Sequence, residues 1–215
     1  MKRLLLTAFE PFDGERINPS LEAARAIEQM RFENGLVEIA VLPVARFETE
    51  RVAIERLRAA QPDVVLMLGQ ASRRARVTPE RVAINIDDFP IPDNAGNQPV
   101  CEPIVPGGPV GYFSTLPIHA IVGELKQAHI PAAISNSAGT YLCNRLFYRV
   151  MHIIAVEKLP IRAGFMHVPY LHEQTVDKLI DFASMSRETI IDAVRIAIDV
   201  SLRESLENHV LPIHD

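Results

Sequence analysis

Two cysteines in 215 residues give no disulfide framework. A chain that relies so little on cross-links fits a reducing compartment, so a cytoplasmic location is expected. Positive charge is also in short supply. The formal net charge is −5, and the one basic cluster, Arg73, Arg74 and Arg76, reads as a solvated loop. Neither nucleic acid nor an anionic membrane surface is an expected partner. No stretch approaches the roughly 18 consecutive apolar residues of a membrane span. The start, MKRLLLTAFEPF, loses its apolar character at Glu10-Pro11, too soon for a leader peptide, and reads as a first strand. The sequence has no Walker loop, GxGxxG, HExxH or paired CxxC, and Pro169 falls between His167 and His172. No metal and no cofactor are therefore expected.

What is present is a globular pattern. With 48% hydrophobic and 23% charged residues, the length suits one well-buried core, and residues 1–215 read as a single domain. Short apolar runs at Lys2–Ala8, Val37–Val44, Val64–Leu68, Ala132–Ser135 and Arg162–Val168 predict strands. Between them, Pro19–Met30, Arg46–Ala60, Pro117–Ala128 and Leu142–Glu157 repeat apolar residues three and four apart, as helices do. Asn18-Pro19 provides a cap followed by proline at the first helical position. The alternation implies α/β architecture: a single-domain open twisted sheet, mostly parallel, with helices on both faces. The Pro-, Gly- and Asn-rich stretch from Arg81 to Pro106 interrupts it and predicts a strand, a long loop and an inserted hairpin. A final helix, Arg187–Asn208, spaces Ile190, Val194, Ile198, Leu202 and Leu206 four apart, which suits either core packing or a subunit contact.

Chemistry centres on SNSAGTYLCNRLFYRVMH, residues 135–152. Cys143 lies beside the apolar stripe Leu142, Leu146, Val150 and Ile154, and free cysteine is often simply a buried small hydrophobe. Against that reading, Cys143 follows the small-residue turn Ser-Ala-Gly-Thr and would occupy the first turn of a helix. There, unpaired N–H groups and the positive dipole end favour a thiolate and can receive an oxyanion. Strand-to-helix junctions are also where open α/β sheets place ligands. A thiolate attacking an amide needs an acid–base partner. His167, ending the run AGFMHVPY, is the best placed of seven histidines; His209 and His214 lie near the terminus. Its imidazole needs an orienting acceptor, for which Glu80, Asp87 and Asp88 all qualify by position.

Seven blocks then carry a resemblance. LLLTAFEPFDGERINPS, LMLGQA, PERVAINIDD, IPDNAGNQP, GYFSTLP, SNSAGTYLCN and GFMHVPYLHEQ occur in this order between residues 4 and 174. Together they resemble the pyroglutamyl peptidase I (pyrrolidone-carboxylate peptidase) family of cysteine exopeptidases. The resemblance implies hydrolysis of the amide after an N-terminal pyroglutamyl residue, a catalytic triad of Cys143, His167 and Glu80, and a homo-oligomer, dimer or tetramer. It also implies a pocket formed by Phe9, Phe12, Asn18, Gln70, Ile91 and Leu142. Aromatic faces suit an uncharged lactam ring, and Asn18 can equally be only the helix cap. One departure stands out. The family carries Ala-Arg between NIDD and IPDN, where this chain has Phe89-Pro90. Arg73, Arg74 or Arg76 would have to replace the missing cation, or Phe89 would add an apolar wall. Two alternative readings follow from that loss: a catalytically weakened pyroglutamyl-binding protein, and a hydrolase of another small lactam or amide.

Overall fold

The computed structural model describes residues 1–203. In chain order the principal elements are β1 (Lys2–Phe9), α1 (Pro19–Glu28), β2 (Gly35–Leu42), α2 (Arg46–Ala60) and β3 (Val64–Gln70). There follow β4 (Thr78–Pro79), β5 (Val82–Ile84), β6 (Gly111–Phe113), α3 (Ile118–Gln127), α4 (Leu142–Val156) and β7 (Arg162–Val168). The short β8 (Tyr170–Leu171), a 3-10 turn (His172–Gln174), β9 (Ser184–Met185) and the helix α5 (Arg187–Arg203) complete them.

The main sheet has the order β2-β1-β3-β7-β4, parallel throughout except for β4. Its inner strands are nearly continuous apolar runs because both faces are covered. Successive residues feed opposite cores. Leu4, Leu6, Leu66, Leu68 and Met166 pack with α1, α3 and α5, whereas Leu5, Val65, Met67 and Phe165 pack with α2 and α4. The α5 stripe of Ile190, Val194, Ile198 and Leu202 is buried in the first of these cores. Its spacing therefore reflects packing within the chain; Leu206 and the helix expected as far as Asn208 extend beyond the described residues.

The Ala132–Ser135 run differs from expectation. It lies alongside β4 in parallel but forms only two isolated bridges, Val77↔Ala132 and Glu80↔Ser135. Backbone bonds connect Ala133 N–H to Val77 O at 3.2 Å and Ser135 N–H to Pro79 O at 2.9 Å. Pro79 has no N–H to return to the run, so the ladder breaks at its middle. The inserted hairpin is present: β5 and β6 pair antiparallel and close the loop of residues 85–110. Buried Asp87 holds that loop, with a 2.8 Å bond from Arg46 Nε and a second contact from Arg145.

Candidate active site

The carboxyl ends of the parallel strands converge on one cavity. Phe9 closes β1, Gln70 closes β3, and His167 is the second-last residue of β7. Asn18 precedes α1 and caps it, its Oδ1 accepting from Ser20 N–H at 3.0 Å. Cys143 is the second residue of α4. The turn before that helix needs Gly139 at φ +78°, a region that favours glycine. Asn144 then stitches the start of α4 to β5, accepting from Ile84 N–H and donating to Ile84 O, both at 2.9 Å.

The cavity, about 180 Å³, is lined by Phe9, Phe12, Asn18, Gln70, Leu142, Cys143 and His167, with Val44, Ala138 and Tyr141. Drug-sized pockets run to about 300–1,000 Å³, so this one suits a small ring rather than a long chain. Ile91, expected to line the pocket, does not line this cavity; it is 37% exposed on the loop. Phe89 turns inward instead and packs edge-on against Tyr141, with ring centroids 4.6 Å apart. Tyr141 in turn faces Phe12 at 6.3 Å. Sequence reasoning passed over Tyr141, although an aromatic inside the small-residue turn SAGTYLCN was the available signal.

Behind the cavity, His167 Nδ1 lies 2.7 Å from Glu80 Oε1, and both side chains are buried. The same oxygen accepts from Arg74, so Nδ1–H is the donor to Glu80 and Nε2 is left as the acceptor. Arg74 also donates to Ser137 O at 2.8 Å, tying Glu80 to the turn that leads into Cys143. Arg74 thus faces the carboxyl group and does not line the cavity; Arg73 and Arg76 are exposed. Of the rival acceptors, Asp87 is committed to Arg46 and Arg145, while Asp88 accepts from Cys101 N–H at 3.3 Å.

Electrostatics differ from the thiolate expected at a helix N-terminus. Burial pushes the Cys143 thiol up to about 12, with the Glu80 charge adding to the effect; Arg74 and Cys143's own N–H only partly oppose it. Burial also moves the His167 imidazole down, against the Glu80 bond and charge and with the Arg74 charge. Both shifts favour the neutral forms, a thiol and an imidazole that line the same cavity. Gly69 makes room for the sulfur: a Cβ there would lie 2.9 Å from Cys143 Sγ and 2.7 Å from the Phe165 ring. Among the described residues no group of three or more His, Cys, Asp or Glu is arranged to hold a metal ion. No helix among them is long and apolar enough to cross a membrane.

Comparison with known proteins agrees across sequence and structure. A family model described as pyroglutamyl peptidase matches residues 2–204. The pyrrolidone-carboxylate peptidase of Vibrio parahaemolyticus is 48% identical over 200 residues, covering 93% of this chain and 92% of that one. That of Brevibacillus brevis is 48% identical over 206 residues, covering 94% of each. The crystal structure of Bacillus amyloliquefaciens pyroglutamyl peptidase I superposes with a TM-score of 0.91 at 42% identity, covering 95% of this chain and 98% of that one. A mutant pyrrolidone carboxyl peptidase from the hyperthermophile Pyrococcus furiosus gives 0.90 at 42% identity, covering 93% and 98%. Seven sequence blocks, the parallel sheet and a small cavity at its strand ends thus agree with these matches: the chain belongs to the pyroglutamyl peptidase family.

Proposed function

We propose that this protein is a cysteine peptidase that removes an N-terminal pyroglutamyl residue, using Cys143 as nucleophile, His167 as acid–base and Glu80 to orient the imidazole. The observation that carries the reading is the 2.7 Å Glu80–His167 bond behind a cavity that both His167 and Cys143 line. Nε2 of His167 takes the thiol proton as sulfur attacks the pyroglutamyl carbonyl, so the thiolate forms only as it is consumed. The carbonyl oxygen becomes an oxyanion held by the N–H groups of Cys143 and Asn144, which have no intrahelical acceptor in the first turn. The C–N bond breaks, His167 gives its proton to the departing amine, and a thioester remains. Water, losing a proton to His167, then attacks the thioester, and the thiol leaves reprotonated.

Phe9, Phe12 and Tyr141 provide apolar faces for the lactam ring, with Leu142 beneath and the amides of Asn18 and Gln70 at its polar edge. Among the described residues no acidic side chain lines the cavity, so a charged N-terminus would lose its hydration without compensation from them. The same reading takes the chain as one domain, because both cores share a single sheet, and as a cytoplasmic homo-oligomer.

The deciding assay is release of aminomethylcoumarin from its pyroglutamyl derivative. Wild type should turn over, and Cys143→Ala should lose at least ~10³-fold in kcat. Glu80→Gln should lose ~10²-fold, less than Cys143→Ala. Normal turnover in Cys143→Ala would end the proposal.

A further inference from the structure

The family reading leaves Gln174 without a role, yet this buried side chain is bonded at both ends. It sits in the 3-10 turn after β8 and is 7% exposed. Its Oε1 accepts from Leu171 N–H at 3.0 Å. Its Nε2 faces three oxygens: Gln70 Oε1 at 3.0 Å, Glu15 Oε2 at 3.2 Å and Ile17 O at 3.4 Å. Leu171 N–H can only donate, while the Ile17 carbonyl and the Glu15 carboxylate accept. These neighbours agree on one orientation of the Gln174 amide, whichever way its two ends are first assigned. Glu15 is itself held by Lys178 Nζ at 2.6 Å.

That orientation passes to the next amide. The Gln174 N–H must meet the oxygen of Gln70, which leaves the Gln70 NH₂ group as the end available to a ligand. Gln70 lines the cavity, and its NH₂ makes no hydrogen bond among the described residues. Asn18 has the same bias: its oxygen is occupied by Ser20 N–H and Ser20 Oγ, at 3.0 and 2.8 Å.

We infer that Gln174 is a specificity-determining positioning residue, which holds the Gln70 amide so that it presents N–H, not C=O, to the cavity and selects acyl rings carrying a carbonyl acceptor. The inference rests on the proposed activity for the identity of that ring, in which the acceptor is the lactam oxygen. Such a contact exists before and during the reaction, so its loss raises KM and leaves kcat largely alone.

The test compares two fluorogenic substrates, pyroglutamyl-aminomethylcoumarin and cyclopentanecarbonyl-aminomethylcoumarin. They share a five-membered ring, but the second lacks the lactam amide. Gln174→Glu keeps the acceptor for Leu171 N–H and removes the donor; Gln174→Met keeps the bulk without adding charge beside Glu15. Both variants should raise KM for the pyroglutamyl substrate about tenfold, the scale of one neutral hydrogen bond. Its kcat, and kcat/KM for the cyclopentane substrate, should stay within about twofold. Equal losses on both substrates, or no change on either, would overturn the inference. If Gln174→Glu fails to fold, Gln174→Met alone decides. If folded wild type turns over neither substrate, the proposed activity fails, and NMR titration with 2-pyrrolidinone decides the role of Gln174. A dissociation constant raised about tenfold in Gln174→Met would support the role; an unchanged one, or no binding by wild type, would refute it.

Discussion

Cys143 and His167 line one cavity, and burial shifts both towards their neutral forms, against the pull of the helix end on the thiol. The positive end of α4 favours a thiolate, but by no more than about 2 kcal/mol in partly buried geometries. Removing the sulfur from water opposes it, with the Glu80 charge in support, and holds the thiol up at about 12. Absorbance at 240 nm, taken as wild type minus Cys143→Ser so that exposed Cys101 cancels, should stay flat from pH 6 to 9. A step below pH 7 would mean a preformed ion pair. For His167 the sign is opposite: its lowered value keeps the base form present at lower pH, so the acid limb of kcat/KM should fall below about 6.5. Cysteine and histidine were legible as candidates because each ends or begins a patterned run. Glu80 could not be ranked above Asp87 or Asp88 from the residues alone, since all three flank the same strand. Their partners separate them: Asp87 is held by two arginines and Glu80 by Arg74 and the imidazole.

Among the elements, the junction of β3, α4 and β7 sets the geometry. Gly69 pairs in register with His167 across β3 and β7, and its missing side chain leaves the gap that Cys143 Sγ and the Phe165 ring occupy. Gly69→Ala should therefore push the sulfur away from the imidazole. The expected result is a fall of about 10²-fold in kcat, as for a displacement of about 1 Å, and a stability loss of about 1–3 kcal/mol. Steady-state kinetics with urea denaturation would check both, and wild-type turnover would show that the junction tolerates the methyl group. The strands and helices were mostly legible, α2 and β7 to the residue, because their apolar periods are long and clear. The 132–135 run was not, because a proline on a neighbouring segment, Pro79, breaks its pairing. Nor was it legible that Ile91 stays out of the cavity lining while Phe89, expected as an apolar wall, packs behind Tyr141, since a loop carries no period to read.

For the molecule as a whole, helix α5 distinguishes a core from an assembly surface. Its apolar stripe lies against α1, α3 and the sheet, with Ile198 fully buried. Ile198→Ala should cost about 2–5 kcal/mol in chemical denaturation. The sedimentation coefficient at fixed concentration should stay the same. A drop in sedimentation with stability unchanged would place the stripe between subunits instead.

Residue order alone determined the alternation of strands and helices, the parallel sheet, the placing of Cys143 at a helix start and His167 at a strand end, and the family. The family is carried by seven ordered blocks between residues 4 and 174; the others are local patterns, carried by neighbours within a few turns of chain. Only the tertiary structure decided which acid serves the imidazole, since Glu80 and His167 are 87 positions apart. It likewise decided how Gln174 orients Gln70 across 104 positions, and that the surroundings of Cys143 push its thiol up. Burial, charge and hydrogen-bond direction depend on what the fold brings together, and no period in a sequence records that.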